Sequence, residues 1–284
     1  MIFKFFKRKK DELERLKKEI LDFGYNKPQE LITLIQPAVL LGELDKTCPL
    51  GGSKLGGKPD LPRELEWPSY NDESMVFIGQ INLSELANFN SGLELPKKGL
   101  LSFFIHFNKP ENEFGAEYDF EPAKDQYKVM YFGSETILIK KDFPETLFKD
   151  YQFPENCIGY SQDYQVPTTE ESSYIINSTL DDYDKGLIFD FAHRYDDGFM
   201  DQIGGYPVPI QQGVDLDWAA STISNLEERY EKSLSLGKNY VNLFSFSLMY
   251  NFEKIGDSTC YFGITKENLK QLKFDETILI LQDT

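Results

Sequence analysis

Seven short runs rich in aromatic and branched residues, each closed by Gly, Pro, Asn or Asp, limit what this chain can fold into. Four lie in the first half: MVFIGQINL (75–83), GLLSFFIHF (99–107), YKVMYF (127–132) and TILIK (136–140). Three lie near the end: YVNLFSFSLMY (240–250), CYFGI (260–264) and TILILQ (277–282). Runs of this length and composition between turn residues read as strands. Helical periodicity is confined to a few places. Phe6, Leu13, Leu16, Ile20 and Phe23 predict a helix over 3–24 that stops at Gly24. A short helix is expected from Pro28 to a point before Pro37. Residues 215–233 predict one longer helix, with Asp215 or Asp217 as its cap.

Strands and helices do not alternate, so the expected class is α+β, with mostly antiparallel sheets and peripheral helices rather than a doubly wound fold. The expected organisation is a basic N-terminal helix, 1–27, followed by a single domain, 28–284. The segments FIGQINL…GLLSFFI and FSFSLMY…GDSTCYFGI share an order of strand, polar loop, Gly and aromatic-ended strand. That echo allows two related half-domains, with chance similarity of strand–turn–strand units as the alternative.

The net charge is −17, and the first twenty residues, with eight Lys/Arg against four Asp/Glu, contribute +4 of it. The remainder therefore carries −21. Such a body repels phosphate backbones and argues against a nucleic-acid partner. It suits a basic protein partner or serves solubility alone. No apolar run reaches the roughly 18 residues of a membrane span. The head MIFKFFKRKK lacks the form of a secretory signal, though residues 1–20 could touch an anionic membrane surface. Cys48, Cys157 and Cys260 show no C-x-x-C spacing, which fits a reducing, cytoplasmic location.

Residues 52–59, GSKLGGKP, open like a nucleotide-binding P-loop, but position 59 is Pro where the loop needs a magnesium-binding Ser or Thr, and Pro62 blocks the helix that should follow. Ser53 is no nucleophile elbow, because position 55 is Leu rather than Gly. Only His106 and His193 occur, which excludes histidine-rich metal sites. His106 reads as a sheet histidine. His193, in FAHRYDDG, is a weak candidate base, with Asp196, Asp197 or Asp257 as orienting acids; a surface histidine in salt bridges is the simpler reading. Asp215-x-Asp217 begins like a calcium loop, but Ala220 and Leu226 stand where it needs Gly and Glu. Asp196, Asp197 and Asp201 could hold at most a weak ion. No cofactor or metal is expected.

The residues that defeat the P-loop carry another pattern. SKLGGKPDLPRELEWP (53–68), followed by MVFIGQINLSEL (75–86), resembles the opening of the YwqG-like family, also called DUF1963. LPKKGLLSFF (95–104), GGYPVPIQ (204–211) and GDSTCYFGITKENL with the later TILILQ (256–282) agree with that family in order. Its members typically carry Trp just before the last Gly-Asp and a Gly soon after; Ile255-Gly256-Asp257-Ser258-Thr259 departs from this. The resemblance, over about 45–282, implies a single soluble bacterial α+β domain. It implies no established activity and carries over no catalytic residue.

Two stiff Gly/Pro loops, 52–62 and 204–211, stand out physically, since Gly pairs permit positive φ and the prolines lock the exits. Lys54, Asp60, Tyr206 and Gln211 on these loops, with Gln80 inside an apolar strand, are the candidate ligand-binding residues if the loops line one groove; otherwise they are turns that define the fold. The expected function is a non-enzymatic binding or interaction protein, of which an immunity-type partner for a basic protein is one version. The alternatives are a hydrolase or transferase using His193 with nearby carboxylates, and a small-molecule sensor in the Gly/Pro-loop groove.

Overall fold

Most of the strands join in one antiparallel sheet that curls on itself. The computed structural model describes residues 9–108, 121–194, 201–252 and 255–283. From the first half come β1 (Gln36–Glu43), β2 (Lys54–Leu55), β3 (Asp60–Pro62), β4 (Ser69–Tyr70), β5 (Glu73–Ser74), β6 (Val76–Asn82), β7 (Leu100–Ile105), β8 (Tyr127–Phe132) and β9 (Leu138–Lys140). From the second half come β10 (Asn156–Gln165), β11 (Gln202–Gly204), β12 (Tyr240–Ser247), β13 (Thr259–Thr265) and β14 (Ile278–Gln282). Ten of these form one sheet in the order β14-β13-β12-β11-β1-β10-β2-β6-β7-β8. The pairs β3-β9 and β4-β5 stand apart from it.

The two wings of the sheet turn towards each other around a shared core. Phe103 on β7 lies 4.9 Å from Phe244 on β12 and 5.1 Å from Phe262 on β13, ring centre to ring centre, although these strands belong to opposite wings. The two edge strands, β8 and β14, also approach. The Tyr127 hydroxyl and the Lys124 ammonium both donate to the Thr277 carbonyl, at 3.0 and 2.7 Å. Side chains, not a ladder, bridge this seam of a nearly barrel-shaped sheet.

The outer faces are covered as well. Val214 and Trp218, on the helix Val214–Ala220, pack on Tyr240, Tyr261 and Ile280. Leu61, Met75 and Trp67 pack on Phe77 and Phe104. Burial on both faces explains why β6, β7 and β13 read as continuous apolar runs instead of the alternation common in antiparallel sheets.

Several sequence expectations change in detail. The central strands β1, β10 and β11 were not anticipated; β10, NCIGYSQDYQ, is polar and largely half-buried. The segment 136–140 contributes only Leu138–Lys140, paired with β3 outside the main sheet. The run 240–250 leaves the sheet after Ser247 for a short helix. The helix expected over 215–233 is two helices, Val214–Ala220 and Leu226–Leu236. The second starts anew because the Asn225 side chain accepts from Glu227 N at 3.1 Å, while Arg229 Nε satisfies the Ala220 carbonyl at 2.9 Å. Neither Asp215 nor Asp217 caps the first helix; its cap is Gly213, without a side-chain bond.

At the N-terminus the helix spans Lys9–Asp22 within the described residues; residues 1–8 of the basic head lie outside them. Leu16 and Ile20 are buried against Tyr25, Leu31, Val166, Ile188 and Phe191, and Glu19 pairs with Arg194 at 2.7 Å. The helix is docked. No helix among the described residues is long and apolar enough to cross a membrane.

A close approach between a helix and the sheet yields a test. A Cβ on Gly263 would lie 2.2 Å from the Trp218 ring, so that ring rests directly on the β13 backbone. Gly263→Ala is expected to lower stability by about 2 kcal/mol through overpacking, with Gly133→Ala, whose Cβ meets nothing within 4 Å, as the neutral control. Urea unfolding of both variants measures this; equal midpoints would refute the tight Trp218–Gly263 contact.

Candidate functional site

The first Gly/Pro loop folds over a lysine that has no exposure to solvent. Gly56, at φ +61°, brings the chain so close to Pro154 that a Cβ would stand 2.3 Å from its carbonyl oxygen. This turn delivers Lys54 and Asp60 to the interior, both 0% exposed. Lys54 Nζ lies 3.3 Å from Asp60 Oδ1 and 3.0 Å from Glu155 Oε2. Asp60 Oδ2 accepts from Gly51 N at 2.8 Å and from Gln80 Nε2 at 2.7 Å. Gln80 uses its remaining amide atoms on Gly52 O, 2.8 Å, and Asp60 N, 2.9 Å. Lys140 reaches the same Glu155 oxygen at 2.9 Å. Burial works against ionising Glu155, but its bonds from Lys140 and Lys54 outweigh that and hold its carboxyl below the usual range.

Beside this cluster, burial pushes the Cys48 thiol up to about 12, with Cys157 adding to the shift. Two cations and two anions therefore neutralise one another, and the amide of Gln80 is fully spent. Lys54, Asp60 and Gln80 do come together, as a framework of mutually committed groups. Glu155 was invisible to sequence reasoning, because nothing local marks it as the partner of a lysine a hundred positions away.

The two Gly/Pro loops do not share a groove. β2 runs parallel to β1, β11 runs antiparallel to it, and two strands separate them, so the loops that follow leave opposite ends of the sheet. Gln211 is exposed and bonds the C-terminal residues, its Nε2 to Asp283 Oδ1 at 3.3 Å and its backbone N to Gln282 Oε1 at 3.2 Å. Tyr206 is buried. Its hydroxyl donates to Leu34 O at 2.7 Å, and its ring meets Tyr174 edge-on at 5.2 Å.

Behind Tyr206 lies a cavity of about 20 Å³, lined among others by Tyr174, Trp218, Tyr240, Asp215 and Asn242. That volume suits a water-sized guest. Burial pushes the Asp215 carboxyl up, against bonds to its Oδ2 from Ser173 N at 2.8 Å, the Ser173 hydroxyl, and Ser172 Oγ at 3.4 Å. Asn242 is 1% exposed; its Nδ2 donates to Gly204 O and Ser245 Oγ, each at 3.1 Å, while its Oδ1 has no partner. An Asn inside the aromatic run YVNLFSFS was the available signal for this site, and it was missed. For Asp215 the sequence suggests a helix cap or the opening of a calcium loop, and neither reading points to this cavity.

The histidine candidates are placed differently. His193 is exposed at the end of the helix Ile188–Ala192, stacked on Phe189 at 4.1 Å, with Nδ1 against the Phe189 carbonyl at 2.9 Å. Asp257 is exposed ahead of β13, and no hydrogen bond or ion pair joins it to His193; Asp196 and Asp197 lie outside the described residues. His106 follows β7 and bonds Glu73 at 2.9 Å. Among the described residues, no group of three or more His, Cys, Asp and Glu could hold a metal.

Two outcomes are expected. Lys54→Met strands the buried Asp60 carboxylate and should cost about 3–5 kcal/mol, with part of the loss recovered in Lys54→Met/Asp60→Asn; a single-variant loss below about 1 kcal/mol in urea unfolding would contradict the framework role. The second concerns Asp217, which burial pushes up to about 6 against bonds from Gln282 and Gln212. The folded state holds this proton more tightly than the unfolded chain does, so the associated stability is present at low pH and lost as pH rises from the ordinary carboxylate range through about 6. Asp217→Asn is therefore expected to gain about 2 kcal/mol on the wild type between pH 4 and 7. Unfolding curves across that range measure the difference.

The framework loop, the second loop and the last three strands all fall inside one stretch of recognised sequence. A family model described as "Domain of unknown function (DUF1963)" matches residues 53–282. No curated protein sequence matches the chain. The match begins at Ser53, beside the buried lysine, and ends at Gln282, the partner of Asp217: the chain belongs to the DUF1963 family.

Proposed function

We propose that this protein is a non-catalytic binding protein whose ligand site is the cavity behind the second Gly/Pro loop. One observation carries the reading: the unpartnered Asn242 Oδ1, 1% exposed, on the wall of that cavity. A buried acceptor without a donor is costly, and a guest that supplies the donor removes that cost. In the cluster around Lys54, by contrast, the buried charges are already met by opposite charges. A cytoplasmic setting is part of the proposal, supported by three buried cysteines, all free.

A second reading, recognition of a basic protein, rests on a different place. A cleft of about 400 Å³ opens at the seam between β8 and β14, lined in part by Glu121, Lys124, Tyr127, Asn268 and Glu276. Burial pushes the Lys124 ammonium down, while Glu276 and Asp275 oppose the shift; Asp217 also feels Glu121. The acids outnumber the bases there, which suits a cationic partner.

The proposal extends to two related halves. Its support is the repeated chain order, β1-β2-β6-β7-β8 and β10-β11-β12-β13-β14, with a Gly pair just after β2 and another at the end of β11. Register shifts fall between Phe77 and Gly79 on β6 and between Asn242 and Phe244 on β12, at matching places in the two runs.

Thermal unfolding of the wild type and of Asn242→Leu against a panel of small polar compounds tests the binding reading. At least one compound is expected to raise the wild-type midpoint while leaving the variant unmoved. Identical responses of the two proteins across the panel would reject the cavity as a ligand site. A basic protein retained at low salt and lost at moderate salt would favour the seam reading.

A further inference from the structure

We propose that the cavity behind Tyr206 recognises a small ammonium group, the head of a free primary amine or of a lysine side chain. The inference rests on the binding reading above and names its ligand class.

The chemistry follows from what the cavity has left to offer. Tyr206 spends its hydroxyl on the Leu34 carbonyl, and Tyr174 donates to Lys238 O at 3.3 Å. The amide donors of Asn242 are spent on Gly204 and Ser245. Three donors converge on one oxygen of Asp215, Oδ2, and none of them reaches Oδ1. The acceptor left without a partner is Asn242 Oδ1, and the Asp215 carboxyl stands on the same wall. None of these side chains keeps a donor for an anion or for a neutral acceptor.

The rest of the wall is aromatic. Tyr174, Tyr206, Trp218 and Tyr240 all line the cavity. Tyr174 and Tyr206 meet edge-on at 5.2 Å, and Trp218 and Tyr240 stand 6.4 Å apart. Ring faces attract a cation, and a carboxylate set among several rings is the arrangement that selects an ammonium over a neutral molecule of equal size. A cavity of about 20 Å³ admits an ammonium head and excludes a bulky quaternary one. Thr169, Pro207 and Pro209 also line the cavity and are half-buried, so a carbon chain attached to the head would leave past them.

The test is thermal unfolding of the full chain at matched ionic strength in ammonium, methylammonium, tetramethylammonium, sodium or potassium chloride. Ammonium and methylammonium are expected to raise the midpoint saturably, by about 3 °C or more near saturation. Sodium, potassium and tetramethylammonium should not. Asn242→Leu should abolish the rise; Asp215→Asn, which keeps an acceptor for Ser173 N, should weaken it at least tenfold in half-saturating concentration. A further arm replaces methylammonium with N-acetyl-lysine amide: response to both points to any primary amine, and response to the lysine derivative alone points to a side chain of a protein partner. Equal midpoints in all five salts overturn the ammonium proposal. If formamide, a neutral donor, stabilises the wild type but not Asn242→Leu while the ammonium salts do nothing, the ammonium class falls and the cavity remains a ligand site. If no probe distinguishes the variant from the wild type, both fall.

Discussion

The ladder between β1 and β10 is the contact on which the remaining architecture depends. It pairs eight residues on each side, from Gln36 opposite Gln165 to Glu43 opposite Ile158. Each strand opens its own half of the chain, yet each is flanked by a strand of the other half: β1 by β11, and β10 by β2. Neither wing is complete without the first strand of the other. Because the ladder is antiparallel, whatever follows β2 leaves one end of the sheet and whatever follows β11 leaves the other. The separation of the charged framework from the Tyr206 cavity is thus a consequence of strand direction.

The two places differ in what sits beneath the turn. Lys54 faces Gln80 across the β2–β6 pair, and those two long side chains, with Asp60, fill the space and satisfy one another. Across β11 and β12 the facing pair is Gln202 and Ser245. Ser245 is short. Gln202 turns its amide to Gly204 O, Tyr206 O and the side chain of Gln165. What remains under the second loop is Asn242, which reaches Gly204 with its donor and leaves its acceptor idle. One end is filled and electrically closed; the other keeps a small void with a polar atom in it. Close packing ordinarily removes such voids, and a polar one is usually hydrated or occupied.

Legibility in the sequence followed burial. β6, β7, β8 and β13 could be read because their apolar runs reflect cover on both faces, or nearly so. β1 and β10 could not: QPAVLLGE carries a Pro and a Gly, NCIGYSQDYQ is half polar, and what joins them is backbone pairing between positions 115 to 129 apart in the chain. Lys54, Asp60 and Gln80 were legible as a group because charge and amide stood among Gly, Pro and apolar neighbours. Their common groove with Tyr206 was not, since strand direction in the assembled sheet decides it. Asp215 misled because an acid before an apolar helix usually caps it; here the backbone places Gly213 at the cap and turns Asp215 towards Ser172 and Ser173.

Those two serines explain how a carboxylate survives behind Tyr206. Ser173 gives both its backbone N–H and its hydroxyl to Asp215 Oδ2, and Ser172 adds a third donor at 3.4 Å. Three neutral donors stabilise the ion, yet burial still leaves its carboxyl above the usual range. Lys54 and Asp60 show the contrasting solution, in which a buried charge is met by the opposite charge and nothing is left over. Among the described residues no cation bonds Asp215, so burial favours its protonated form, and a cation entering beside it would favour the ionised one. A guest there would also touch the loop from Gly205 to Pro209 and the helix from Val214 together, tying two elements that otherwise meet across a void.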